Sequence, residues 1–205
     1  MRVQARFSVL VLAGLVALQG ALGGSYAAGL MAIALATCVA ATALPRLLVA
    51  RLMGLRHRRT VFHGLGASHD FGRLSPLQAL LVHGAGIAGV GLATLVASQG
   101  GGYIAMSIAG IGMFWTCVQL APVQPTCGGD LAWTLLCWAL GPVRGEDISA
   151  RLTLFGALAG IWAALQVGMV FLIPLSTVAL HHGWQVYRNR TTEPPELLVL
   201  PGVPA

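Results

Sequence analysis

The chain has no lysine and little charge of either sign: 9% of its 205 residues are charged, six of them acidic, and every permanent positive charge is an arginine. Without an ammonium side chain, lysine Schiff bases and the Walker-type phosphate loop are excluded. The four cysteines, Cys38, Cys117, Cys127 and Cys137, form no Cys-x-x-Cys pair. His-Glu-x-x-His and Gly-x-Ser-x-Gly runs are absent too. The local signatures of thiol redox centres, zincin-type metalloproteases and serine hydrolases are therefore missing. No carboxylate falls inside a confident apolar run, which weighs against a proton-coupled pump.

What remains is overwhelmingly apolar. Hydrophobic residues make up 57% of the chain and the mean hydropathy is +0.80. A water-soluble domain of this length needs far more polar surface, so lipid is the expected solvent. The pI near 9.9 does not point to nucleic acid, because the arginines cluster beside apolar stretches, where they set orientation in a bilayer.

Taken in order, the chain reads as an all-α, polytopic transmembrane helical bundle of about six apolar segments. Arg2 and Arg6 precede a first run from Phe7 to Gly23, which also resembles a signal peptide with Ser25-Tyr26-Ala27 as a small-x-small site. Because a second run starts at once, near Tyr26, and extends to Leu44, the first is expected to be retained. Residues 45–75 form a basic connection holding Arg46, Arg51, Arg56, Arg58, Arg59 and Arg73. On a helical wheel these go all round, so a juxtamembrane link is expected, with 46–59 available to anionic lipid headgroups. Ser75-Pro76 opens a third span to about Ser98, and a fourth covers Tyr103 to Ala121. The segment 131–141 rises only ~20 Å at 1.5 Å per residue, short of the ~30 Å hydrocarbon core, and is read as a short span or a re-entrant piece. Ser149 to His182 is expected to be one long helix kinked near Pro174. Its stripe of Gly156, Gly160, Ala164 and Gly168 would suit close helix contact. Residues 1–190 thus form one membrane domain and 191–205 an extended tail. Counting arginines gives ten against two whether 131–141 spans or re-enters, and Arg188 and Arg190 directly flanking a span are what favour six spans with both termini cytoplasmic, in a bacterial inner membrane by default.

Few groups could carry chemistry. His83 lies inside the third span, and His181-His182 closes the last one. Imidazoles from two helices at one depth could ligate haem b or a metal ion. The plainer reading leaves His181 and His182 at the headgroup boundary and His57, His63 and His69 in a solvated loop, with no resident cofactor. Gln119 and Gln166 lie within apolar runs and need partners, so they are expected at helix contacts or along a pathway. Cys127, in a connecting loop, is the cysteine expected to meet solvent. Gly84-Ala85-Gly86-Ile87-Ala88-Gly89 matches the dinucleotide fingerprint by letters. It lies in a span with no preceding strand, so close helix contact explains its glycines better. Ser68-His69-Asp70 has triad residue types, but neighbours in sequence point away from one another.

With so little extramembrane mass, the first functional expectation is a non-catalytic integral subunit of a secretion, transport or respiratory complex. Other membrane subunits, or further copies of this chain, would be its partners. The second is a small transporter or channel, and the third an electron-transfer subunit using His83 with His181 or His182. An enzyme is the less favoured class. All three require an integral membrane chain: after an alkaline carbonate wash the protein is expected in the membrane pellet, and release into the supernatant would contradict the reading.

Overall fold

The computed structural model describes residues 2–5, 9–63, 65–72, 74–167 and 172–192. Strand β1 (Arg2–Ala5) precedes helix α1 (Val9–Leu52), which is interrupted at Gly24, where φ is 82°. Strands β2 (Arg59–His63) and β3 (Gly66–Asp70) follow, then helices α2 (Pro76–Ser98), α3 (Tyr103–Leu120), α4 (Cys127–Leu140), α5 (Pro142–Val167) and α6 (Leu172–Thr192). Among the described residues four helices are long and apolar enough to cross a membrane, and no more than 28% of the apolar stretch of any of them is buried within the chain. Large side chains such as Leu22, Trp138, Phe155 and Trp162 face outward. A chain that leaves this much apolar surface uncovered needs lipid around it, and the protein is an integral, multi-pass membrane bundle.

The basic connection is not a link at all. Its first part, Pro45–Leu52, is the last turns of α1. Residues 59–70 form a hairpin, β2 antiparallel to β3, with β1 added parallel to β2. The hairpin tip enters the bundle: Leu65 is buried against Ala157, Leu175 and Ala179 of α5 and α6. Gly66, at φ 116°, lies flat against the Trp115 ring. Non-helical backbone inside such a bundle is tolerated only when protein covers it, and here α3, α5 and α6 do so. Ser75 caps α2 in a reciprocal box with Gln78, and Pro76 stands at the first helical position, as its sequence implies.

The expected single helix from Ser149 to His182 is two helices, α5 and α6, folded into an antiparallel pair. Gly160 meets Ser176, and Gly183 meets Thr153 and Leu154. Gly156 of the stripe packs instead on Val123, Ala164 is fully buried, and Gly168 lies outside the described residues. Unbroken apolar composition could not reveal the reversal, because a turn between two lipid-facing helices need not be polar when its neighbours cover it. The tail beyond Thr192 also lies outside the described residues.

Segment 131–141 is short because it is the second half of a broken crossing. α3 ends at the level of the hairpin tip, where Gln119 donates to the Leu65 carbonyl. α4 then passes Asp130, Trp133 and Thr134 along the hairpin toward its base, sharing one cavity with Arg59, Asp70 and Phe71. α5 returns antiparallel to α4: Gly145 sits on the backbone of Leu136 and Cys137, and Gly156 on Val123. α6 runs back again, Leu175 beside Phe114 and Ala179 beside Val118 and Val123. The described ends of β1 and α6 therefore approach the same face as the base of the hairpin.

The fingerprint-like glycines behave as contact residues. A Cβ on Gly89 would strike the Ala41 carbonyl and Pro45, and one on Gly86 would come within 2.8 Å of the Arg46 stem. Gly84 and Gly91 have nothing within 4 Å. Gly89→Ala should therefore destabilise the detergent-solubilised protein by about 1–3 kcal/mol, the usual cost of overpacking. Gly84→Ala and Gly91→Ala should be neutral or stabilise by up to about 1 kcal/mol from helix propensity. Thermal unfolding of the three variants checks the contrast.

Candidate functional site

Arg46 lies on α1 about two turns before its end, and His83 about two turns into α2. At ~1.5 Å per residue both sit roughly 10 Å along their helices from the hairpin side. Arg46 is 1% exposed, among the most deeply buried large side chains of the protein. A guanidinium is charged at every physiological pH and only donates hydrogen bonds, so burial obliges the fold to surround it with acceptors. Its Nη1 donates to the Ala67 carbonyl of β3 at 3.2 Å, and its Nη2 to His83 Nδ1 at 3.1 Å. Nη2 also pairs with Asp130 Oδ2 at 3.4 Å, and that oxygen stands 3.8 Å from His83 Nδ1. Because arginine cannot accept, His83 must present a lone pair at Nδ1, and its neutral ring carries the proton on Nε2.

The partners are held by local structure. Thr126 caps α4, accepting from Gly129 N and donating to the Ala121 carbonyl. Gln119 accepts from the Cys127 amide at 3.0 Å while donating to Leu65, tying the start of α4 to α3 and the hairpin. Gly128 and Gly129 lie against the backbone of 120–124, where a Cβ would not fit. That turn sets Asp130 into the first turn of α4 and Cys127 Sγ beside Gly86 and the Arg46 stem. Cys127, expected to meet solvent, is fully buried.

Beside this centre a cavity of about 250 Å³ is lined by His83, Asp130, Thr134, Ser68 and His69. The Thr60 hydroxyl bridges His57 Nε2 at 2.9 Å and His69 Nδ1 at 3.0 Å, so these histidines form a buried-edge cluster rather than a solvated loop. Burial pushes the His69 imidazole down to about 3, helped by the Arg46 charge and then by His57. A second cavity, about 600 Å³, lies toward the other face between α1 and α3, lined by Leu18, Leu22, Met31, Met106 and Phe114 among others.

Of the residues singled out from sequence, His83 and Gln119 meet around this centre. His181 is exposed on α6 and pairs with Gln185 at 2.8 Å, while His182 is half-buried one residue on. Gln166 lies on the outer surface of α5. Arg46 and Asp130 carry the site, and sequence reading missed both roles. Arg46 looked like one more member of a basic cluster, and Asp130 lies beside the short 131–141 segment with no sequence motif around it. The one available clue was Pro45-Arg46 sitting within an apolar helical run.

No family model matches the chain, and no curated protein matches it. The fold and its buried centre define a multi-pass membrane helical bundle that covers a small inserted sheet. Among solved structures it is similar to the Site-2 protease from Methanocaldococcus jannaschii, with a TM-score of 0.74 over 90% of this chain and 91% of that one, at 16% identity. This finding overturns the expectation of a non-catalytic subunit of a larger complex, and with it the lean away from an enzyme. It likewise overturns the transporter or channel and the electron-transfer subunit, because the solved protein that shares this fold is a protease.

A protease of this kind implies a bound zinc ion, so the donors must be tested against one. Among the described residues no three histidine, cysteine or acidic side chains are grouped to hold a metal. His83, Cys127 and Asp130 are suitable donor types, but they converge on a guanidinium. Like charges ~4 Å apart repel by about 4 kcal/mol per unit pair at an effective dielectric of ~20, and a dication doubles that. The residues present do not fit the metal. The expected haem pair is not brought together either: His83 is held at Nδ1 by Arg46, while His181 is exposed on α6 and bonded to Gln185.

Two outcomes follow. Arg46→Leu leaves the Asp130 carboxylate without its cation and should cost about 3–5 kcal/mol, with much of the loss recovered in an Arg46→Leu/Asp130→Leu pair, as read by thermal unfolding in micelles. His69 is neutral in the folded protein and protonated in the unfolded chain below pH 6.5, so its contribution is complete above that pH and is lost as the pH falls toward about 3. Amide protection factors over 59–70, taken relative to intrinsic exchange at each pH, should therefore fall on acidification from pH 7 to pH 4, and His69→Gln should flatten the response.

Proposed function

We propose that this protein engages a polypeptide segment presented within or at the surface of the membrane, and that the Arg46–His83–Asp130 centre with its adjoining cavity is where the segment is met. The reading is carried by one observation: the chain reproduces the fold of a protease over nearly its whole length, and its buried His83 and Cys127 and half-buried Asp130 converge within that fold. His83, Asp130 and Thr134 border the cavity and are the polar groups placed to touch such a segment. Uptake is the first step of any proteolysis, and cleavage of the bound segment is the second.

Orientation and lipid contact belong to the same proposal. Arg51, Arg56, Arg58 and Arg59 are exposed around the base of the hairpin, while Arg144 and Arg188 lie near the ends of α5 and α6 directed to that face; Arg151, further along α5, pairs with Asp147 at 3.0 Å. Such an excess marks the cytoplasmic side and attracts anionic headgroups. Arg46 is removed from that set by its burial.

A photoreactive amino acid at Thr134 or Val61 tests the reading in intact membranes. Adducts with membrane-spanning polypeptides are expected, while the same probe at outward-facing Phe155 should capture lipid. Equal capture at all three positions would remove the proposal. In the same membranes, shortened fragments of a captured polypeptide that vanish with Asp130→Asn would establish the cleavage step.

A further inference from the structure

The zincin motif places two histidines at i and i+4 on one helix face, with a glutamate beside the first as general base. In this protein the helix residue at the centre is Arg46, and the residue one turn earlier on the same side is Thr42, 4% exposed, whose hydroxyl is turned back onto the Cys38 carbonyl at 2.8 Å. Thr42-Ala43-Leu44-Pro45-Arg46 therefore carries threonine, alanine and arginine where a metal and its water would need histidine, glutamate and histidine. The remaining donors point at the arginine: His83 through Nδ1, Asp130 through Oδ2, and Cys127 Sγ against the point where the arginine stem crosses Gly86. Gly86 has no Cβ at a place where one would lie 2.8 Å from Arg46 Cγ and Cδ, so the second helix is shaped to admit this stem.

We propose that the Arg46 guanidinium is a built-in cation holding the place of a divalent metal, joining α1, the hairpin, α2 and α4 through Ala67, His83 and Asp130 and keeping zinc out of the centre. A metal ion in such a centre would bind reversibly and depend on supply; a guanidinium attached to α1 is permanent and takes up the same lone pairs. Any hydrolysis at this centre must then rely on side chains rather than on a metal-bound water. The inference deepens the reading above, because it concerns the same centre, but its test is independent of polypeptide capture. Loss of the crosslinks would remove that reading and leave the metal measurement standing.

The experiment is metal analysis of the full-length protein purified in detergent from zinc-supplemented cells, followed by titration with zinc and with cobalt(II). The wild-type protein is expected to hold well under one zinc per chain and to show no cobalt–thiolate absorption. A Thr42→His/Arg46→His double variant is expected to bind zinc at least tenfold more tightly than wild type. Two results would overturn the proposal: about one zinc per wild-type chain that is lost in Cys127→Ser, or a folded double variant with no gain in zinc affinity. Should the double variant not fold, the wild-type zinc content decides the question alone.

Discussion

A charged guanidinium buried in an apolar bundle is the constraint from which most of this architecture follows. Taking an ion out of water costs several kcal/mol even after relaxation, so the surrounding elements must each bring an acceptor. β3 supplies the Ala67 carbonyl, α2 supplies His83 and α4 supplies Asp130. Each supply has a steric condition. The hairpin must dip into the bundle to bring Ala67 there, α2 must be bare at Gly86, and α4 must begin inside the bundle after the 120–124 turn.

That last condition explains why the chain crosses in pieces. A full-length helix through this region would carry its first turn past the arginine, and Asp130 could not meet it from below. Breaking the crossing into α3 and α4 exposes backbone groups, and Gln119, Thr126 and Thr153 satisfy them: Gln119 accepts from Cys127 N, Thr126 donates to Ala121 O, and the Thr153 hydroxyl accepts from Gln124 N. The polar residues inside the apolar runs are thus mostly structural fittings of the break. They lie around the centre because the break and the centre require each other.

The neighbouring histidines extend this polar layer toward the face with the arginines. Thr60 joins His57 to His69, and the cavity that His69 borders runs on to His83 and Asp130. A polypeptide approaching from that side would meet hydrogen-bonding groups before reaching the buried charge. The larger apolar cavity on the other side of the bundle has the opposite character and suits hydrocarbon.

Much of the bundle was legible in the sequence, and the site was mostly not. Hydropathy is a local property, so the runs at 76–98 and 103–120, the cap at Ser75 and the shortness of 131–141 could be read residue by residue. The sheet could not, because β2 and β3 are short and hold an arginine and two histidines, which read as a solvated link until a bundle covers them. The reversal between α5 and α6 was hidden by uniform apolar composition. Arg46 and Asp130, 84 positions apart, become a pair only when α1 and α4 are brought together. The amino-acid order by itself determined that lipid would be the solvent and that helices would carry the chain through it, since both depend on summed local transfer energies. Which arginine is buried and what faces it was decided by tertiary structure, because a charge selects its partners by distance in space and not along the chain.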